Sequence, residues 1–282
     1  MLGNLLVDKP KGITSHDVVD RVRKTFDTKK VGHAGTLDPM ATGLLVVAVG
    51  SATRFLQYLS LEPKIYEGEI TFGVSTTTQD AEGEVVSQCD ASSLTESAIE
   101  NAVLQFVGEI EQVPPMHSAV QVEGKRLYEM ARKGETVERK SRTVQVQEFC
   151  VSLQSLNKAT FRVVCSGGTY VRTLAADIGD ALGVGAHLSA LRRIAAGAFA
   201  VEDAVSPDDV SESHLVPLER ALLPMPILAI EETDVERARH GKLLSLSADP
   251  ESIAGLLGPD GFVGIARRTP EGLWHPECII PN

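Results

Sequence analysis

No two cysteines stand close together in this chain: Cys89, Cys150, Cys165 and Cys278 form no CxxC pair and follow no regular spacing. That argues against a zinc ribbon or a disulfide framework and suits a reducing cytoplasm. Long hydrophobic runs are missing as well. The opening MLGNLLVDKPKG is too short an apolar stretch for a signal peptide. No segment approaches the roughly 20 apolar residues that a membrane-spanning helix needs. A soluble, cytoplasmic protein with no membrane association is expected. Positive charge is scarce too: the net charge is −11, the wrong sign for a protein that coats phosphates with Lys and Arg. The phosphate loop GxxxxGK[ST] and the serine-hydrolase elbow GxSxG are both absent.

The charge that is present is segregated. Residues 65–120 carry ten acids and no Lys or Arg, and residues 200–282 carry fifteen acids against six basic side chains. Residues 1–64, 121–142 and 143–199 are each net positive, by 3, 3 and 2. Brought together in space, these three segments would form a phosphate-binding strip on an acidic body; kept apart, they are solvated faces. A chain of 282 residues, 43% hydrophobic, buries a large core unaided, with room for a smaller second module. The boundary is placed at Pro224, dividing the chain into 1–223 and 224–282.

Periodicity supplies the elements. NLLVDKP reads as a short buried strand stopped by Pro10. Thr14 opens a helix with Asp17 as its capping-box partner, and Val18, Val22 and Phe26 form the apolar face. LLVVAVG suits an interior strand, and KIYEGEITF alternates as a strand with one wet face. VSTTTQDAEGEV is a polar loop or hairpin tip. Residues 94–107 follow a helical pattern, a strand is expected around Ala119–Val122, and a short basic helix over Arg126–Arg132. TVQVQEFCV and ATFRVVCS read as two strands, and Thr169–Leu182 as a helix ending at Gly183. The tail reads as a strand and short helix in PMPILAIEETDVERARHG, then two strands, GFVGIA and LWHPECII.

The chemistry-bearing residues cluster at two restricted corners. In KVGHAGTLDPMATG, residues 30–43, Asp38 is set among Gly32, Gly35 and Gly43 and pinned against Pro39. Such an acid is either a turn former or a mounted reactive group. An aspartyl-phosphate enzyme would need a second, magnesium-binding acid cluster, and none stands out. His33 and His117 lack the helical HxxxH spacing that would make them a metal pair beside Asp38, so no metal is expected. The second corner is SGGTYVR, residues 166–172, where a strand meets a helix. Arg172 there is either a surface charge or the partner that keeps a buried carboxylate ionised. Tyr66 and Tyr170 each stand within two residues of a basic side chain, Lys64 and Arg172. Both suit core packing with the hydroxyl at the rim, or stacking on a nucleobase taken out of its helix.

Six blocks in order resemble the TruB family of bacterial tRNA pseudouridine synthases: DKPKGITSHDVV, KVGHAGTLDPMATGLLVVAVGSATR, KIYEGEITFG, PPMHSAVQVEGKRLYEMARKG, CSGGTYVRTLAADIG and AHLSALRR. The resemblance is dense over residues 3–205 and looser in the tail. It implies an α+β pseudouridine synthase fold, a mixed and mainly antiparallel sheet flanked by helices, with a small β-rich PUA-like RNA-binding module at 224–282. It implies isomerisation of uridine 55 in the tRNA T arm, with no cofactor, no metal and no required protein partner, by a monomer. By position, Asp38 matches the catalytic aspartate, Arg172 its arginine and Tyr66 the tyrosine packed on the target base. Tyr170 matches the second tyrosine, His33 the histidine that meets the RNA where the base leaves the stack, and Leu191 the pocket wall. Lys64 lies in the KxY block beside Tyr66. Gln121 and Gly167 stand where the family often has lysine, so two phosphate contacts are replaced by neutral residues. A tRNA-binding folding helper with incidental modification is the alternative reading.

Overall fold

The computed structural model describes residues 2–118, 120–122, 124–131, 134–135, 137–247 and 252–281. The expected strand at Ala119 and the expected helix end at Arg132 therefore fall in part outside the described residues. In chain order the first elements are β1 (Gly3–Lys9), α1 (Ser15–Thr25), β2 (Val31–Ala34), β3 (Thr42–Val49), β4 (Lys64–Phe72), β5 (Val74–Thr76) and β6 (Val85–Gln88). Next come α2 (Glu96–Val103), β7 (Gly108–Gln112), β8 (Gln121–Val122), β9 (Lys125–Arg126) and α3 (Leu127–Ala131). Then follow β10 (Arg142–Ser155), β11 (Lys158–Cys165), α4 (Val171–Ala181), β12 (Ala186–Ala196) and β13 (Phe199–Ala200). The chain ends with α5 (Leu218–Ala221), β14 (Ile227–Ala229), α6 (Glu232–Arg239), β15 (Ile253–Gly258), β16 (Gly261–Arg268) and β17 (Trp274–Ile279).

The main sheet runs β1-β3-β12-β4-β11-β10-β7, with β2 added to β3 and β13 to β12. Every pairing in it is antiparallel except β12 with β3, where Arg192 faces Thr42 and Arg193 faces Gly43. That crossing needs glycine. Gly43 has φ +100°, and a Cβ there would collide with the carbonyl oxygen of Arg193; only hydrogen lets the two backbones close. β3 is buried on both faces, which is why its run is continuously apolar rather than alternating. Leu45, Val47 and Val49 join Val18, Val22 and Phe26 of the α1 layer, whereas Leu44, Val46 and Ala48 turn the other way toward Phe55 and toward Ile265 and Cys278 of the C-terminal sheet. β4 alternates as its sequence demands, with Tyr66, Ile70 and Phe72 inside and Glu67 and Glu69 outside. The inner face packs on α2 and α4 through Ile99, Val103, Leu174 and Ile178. Each such side chain contributes about 1.5–3 kcal/mol by leaving water.

Residues 227–279 form a separate four-stranded sheet, β14-β15-β16-β17, backed by α6 around a core that includes the fully buried Trp274. Among the described residues no helix is long and apolar enough to cross a membrane.

Candidate active site

Asp38 is displayed by a loop held from three directions. The capping box that starts α1 is formed, with Thr14 N–H donating to Asp17 at 2.7 Å and Asp17 N–H to Thr14 Oγ at 3.1 Å. The next residue, buried Ser15, accepts from Leu37 N–H at 2.9 Å and donates to its carbonyl at 3.0 Å. On the other side of Asp38, the Pro39 carbonyl accepts from Gly12 N–H at 2.8 Å and from Lys9 Nζ at 3.3 Å. Lys9 also donates to the Ile13 carbonyl at 2.6 Å; burial pushes its ammonium down to about 8. Leu37 and Met40, both buried, plug the loop into the core. An acid whose neighbours are fixed in this way keeps its geometry when a substrate arrives.

Asp38 and Arg172 meet. Arg172 Nε lies 2.9 Å from Asp38 Oδ2, and Nη1 of the same guanidinium lies 3.3 Å from Asp80 Oδ2. The remaining donors go to the carbonyls of Thr78 at 3.0 Å and His117 at 2.9 Å. Arg172 stands at the second position of α4, behind Gly167-Gly168, and is almost wholly buried, as is Asp80. Asp38 is more open, its side chain keeping 38% of its exposure, so it is the member of the trio that a ligand can touch. Burial pushes the Asp38 carboxyl above the usual aspartate range. Arg172 pulls it down, Asp80 adds to the rise and Lys9 opposes it.

A cavity of about 250 Å³ opens on this acid. Its wall includes Asp38, Lys64, Tyr66, Tyr170, Arg172 and Leu191, six of the seven residues singled out in the sequence. His33 does not line it; it sits on β2, with Nδ1 buried and unpartnered among the described residues. Burial, reinforced by Arg193, pushes both His33 and Lys64 below their usual values. Tyr66 lies on β4 opposite Val163 and Arg193, with its ring buried. Burial also raises the Tyr66 hydroxyl, and Arg193 opposes that rise. Ser118 and Thr169 line the same wall with hydroxyls that have no partner among the described residues, two groups able to meet the polar edge of a base. A larger open groove of about 660 Å³ crosses the outer face of β12, β4, β11 and β10 and shares only Leu191 with this cavity. Two of its lining arginines are paired, Arg162 with Glu148 at 3.1 Å and Arg192 with Asp8 at 2.7 Å. The Asp38–Arg172 pair opens on the smaller cavity.

Three contributors escaped the sequence reading. Asp80 lies in the stretch read as a loop or hairpin tip, and its burial depends on the bridge it forms with Leu188 of β12, which no local pattern encodes. Gln112 is buried at the edge of the sheet, and its carboxamide clasps the Tyr170 backbone, accepting from N–H at 2.7 Å and donating to C=O at 3.1 Å. Lys9 stands in the DKPKG block but carries no periodic signal of its role. Among the described residues no three His, Cys, Asp or Glu side chains converge as a metal site would require.

Residues 23–171 match the family model described as TruB family pseudouridylate synthase (N terminal domain), and residues 172–228 match the tRNA pseudouridylate synthase B C-terminal domain. The seam falls at the first turn of α4, between Val171 and Arg172. The chain is 48% identical over 288 residues to tRNA pseudouridine synthase B of Thermobifida fusca, covering 99% of this chain and 98% of that protein. It is 44% identical over 293 residues to tRNA pseudouridine synthase B of Burkholderia mallei, covering 99% and 96%. Among solved structures it resembles a chain of a Cbf5-Nop10-Gar1 complex, with a TM-score of 0.70, 29% identity, and 95% of this chain and 78% of that one covered. It also resembles a chain of an H/ACA RNP bound to a substrate RNA containing 2′-deoxyuridine, with a TM-score of 0.71, 25% identity, and coverage of 99% and 85%.

Proposed function

We propose, from the premise that this chain belongs to the TruB family of tRNA pseudouridine synthases, that it isomerises uridine 55 in the T arm of tRNA and that Asp38 carries the reaction. The N1–C1′ glycosidic bond breaks, the ring turns, and C5 bonds to the same sugar carbon; the proton lost from C5 is balanced by one gained at N1. Atoms and electrons are conserved, so no redox partner is consumed. The requirement is an ionised carboxylate against an everted nucleoside in a site that sheds water. Asp38 supplies it, and its contact with Arg172 at 2.9 Å is the observation that carries the reading. A buried acid beside a guanidinium stays charged where an isolated one would take a proton.

The neighbours divide the remaining work. Tyr66 and Leu191 enclose the flipped ring, Tyr170 closes the mouth, His33 meets the RNA where the base has left the stack, and Lys64 faces the backbone. Residues 224–282 act as a PUA-like RNA-binding module, and the chain works as a monomer. The test is Asp38→Asn. This variant is expected to bind unmodified tRNA with wild-type affinity and to form no pseudouridine, as read by mass-spectrometric mapping of the product. Turnover in the variant, or modification at a position other than 55, refutes the corresponding part of the proposal.

A further inference from the structure

Beside the mouth of the cavity, two cations converge, and among the described residues no carboxylate is paired to either. The Cβ position of Gly35 lies 3.3 Å from Arg193 Nη1 and 3.5 Å from Lys64 Nζ. Arg193 is buried, donates through Nε to the Leu44 carbonyl at 2.7 Å and through Nη2 to the Gly35 carbonyl at 2.8 Å, and keeps Nη1 unpartnered among the described residues. Among the described residues neither Arg193 nor Lys64 forms an ion pair within 4.0 Å. The nearest negative influence on Lys64 is Glu62, an exposed residue. Its carboxylate accepts a hydrogen bond from Gly167 N–H at 2.9 Å. A side chain at 167 would collide with that same Glu62 oxygen, and its Cβ would lie 3.6 Å from Lys64 Nζ. The neighbouring Gly168 has open space around it.

A backbone N–H, an ammonium and a buried guanidinium behind them make a corner that suits a tetrahedral anion. We propose that Gly167 N–H and Lys64, backed by Arg193, form a binding site for a phosphate of the RNA backbone, and that in the free protein the Glu62 carboxylate holds that phosphate's place. The proposal rests on tRNA being the substrate. Glycine at 167 leaves room for that carboxylate, because a Cβ there would collide with Glu62 Oε1. RNA binding then breaks the contact between Glu62 and Gly167, so part of that phosphate contact is spent on displacing the chain's own carboxylate.

The experiment is fluorescence anisotropy of a labelled, unmodified tRNA transcript with the full chain across a series of KCl concentrations. The variants are Glu62→Ala, Glu62→Gln, Lys64→Ala and the double variant Glu62→Ala/Lys64→Ala. Glu62→Ala is expected to tighten binding about threefold to fivefold at moderate salt, the range of one exposed charge contact. It should also steepen the dependence of log affinity on log salt by up to about 0.9, one phosphate's worth of released counterion. Glu62→Gln, which keeps an acceptor for Gly167 N–H, should gain less. In the Lys64→Ala background the benefit of removing Glu62 should disappear. Unchanged or weaker binding by Glu62→Ala overturns the proposal. So does a gain that persists in full without Lys64, because that is the signature of general charge removal. A wild-type chain that fails to bind tRNA at any salt refutes instead the reading on which the proposal rests.

Discussion

Arg172 has one positive charge and two acidic neighbours, and the difference between those neighbours sets their roles. Asp80 is held at both oxygens, by Thr78 Oγ and Glu82 N–H on one and by Arg172 on the other; it is buried and has nothing left to offer a ligand. Among the described residues the Asp38 carboxylate is held by Arg172 alone, and it faces the cavity. In the proposed reaction Asp80 orients the guanidinium and Asp38 meets the substrate. Removing one charge from a buried pair costs about 3–5 kcal/mol when nothing replaces it; here Asp38 remains, so part of that cost is offset. Asp80→Asn is expected to lower kcat by about tenfold to a hundredfold while leaving tRNA affinity within about twofold. Single-turnover release of label from C5-tritiated uridine measures the first, and filter binding the second; an unchanged kcat would remove Asp80 from its positioning role. The same geometry fixes a pH dependence. The proposed reaction uses Asp38 as the carboxylate, and burial raises its pKa above the ordinary 3.8, so protonation is expected to silence the enzyme earlier on acidification than it would with an exposed aspartate. The acid limb of kcat/KM should therefore have its midpoint above 3.8, and a lower midpoint contradicts the assignment.

The elements that deliver these residues differ in how plainly the sequence announces them. Thr14 with Asp17, the unbroken run of β3 and the alternation of β4 each obey one local rule, and each lies where that rule puts it. β12 obeys none. Its register against β4 slips between Leu188 and Ala190 and again between Arg193 and Ala195, so the two-residue period is broken twice within eleven residues. Its periodicity is lost although it sits between β3 and β4 and carries Leu191. β2 lies inside a glycine loop, and β7 is five residues, GEIEQ, with Ile110 its one large apolar side chain. For the site, motif blocks in register made Asp38, Tyr66 and Arg172 legible, whereas Asp80 and Gln112 act through partners 92 and 58 residues away. Gln112 shows what an edge strand can do beyond pairing: its carboxamide extends the β7 edge onto the first turn of α4 at Tyr170, two residues before Arg172. Gln112→Ala leaves a part-buried N–H unpaired, at a cost of about 1–3 kcal/mol. A lower urea midpoint and a reduced kcat are expected together, with Gln112→Glu restoring stability in part because it keeps the acceptor. A wild-type midpoint in Gln112→Ala would mean that the clasp is idle.

At the scale of the whole molecule, the strand-rich C-terminal sheet is continuous with the catalytic body, although its composition reads as an appended acidic module. Phe55 packs edge-on against Phe262 with ring centroids 5.7 Å apart. Arg54 donates to the Ile279 carbonyl at 2.6 Å, and Tyr58 to Glu277 at 3.2 Å. Ile265 and Cys278 share one apolar cluster with Leu6, Leu44 and Val46. The face of β1 and β3 that carries Leu6, Leu44 and Val46 thus shares part of its apolar cover with the C-terminal sheet, which keeps a further core of its own around Trp274. Two bodies that bury each other's apolar faces unfold together, because separating them exposes core on both sides. Calorimetry of the full chain is expected to give one cooperative transition. Phe55→Ala, which opens a cavity in the shared cluster, should lower the stability of that single transition by about 3–5 kcal/mol. Two resolved transitions, with only one of them moved by Phe55→Ala, would mean that the C-terminal sheet is a tethered neighbour rather than part of the wall on which the catalytic sheet rests.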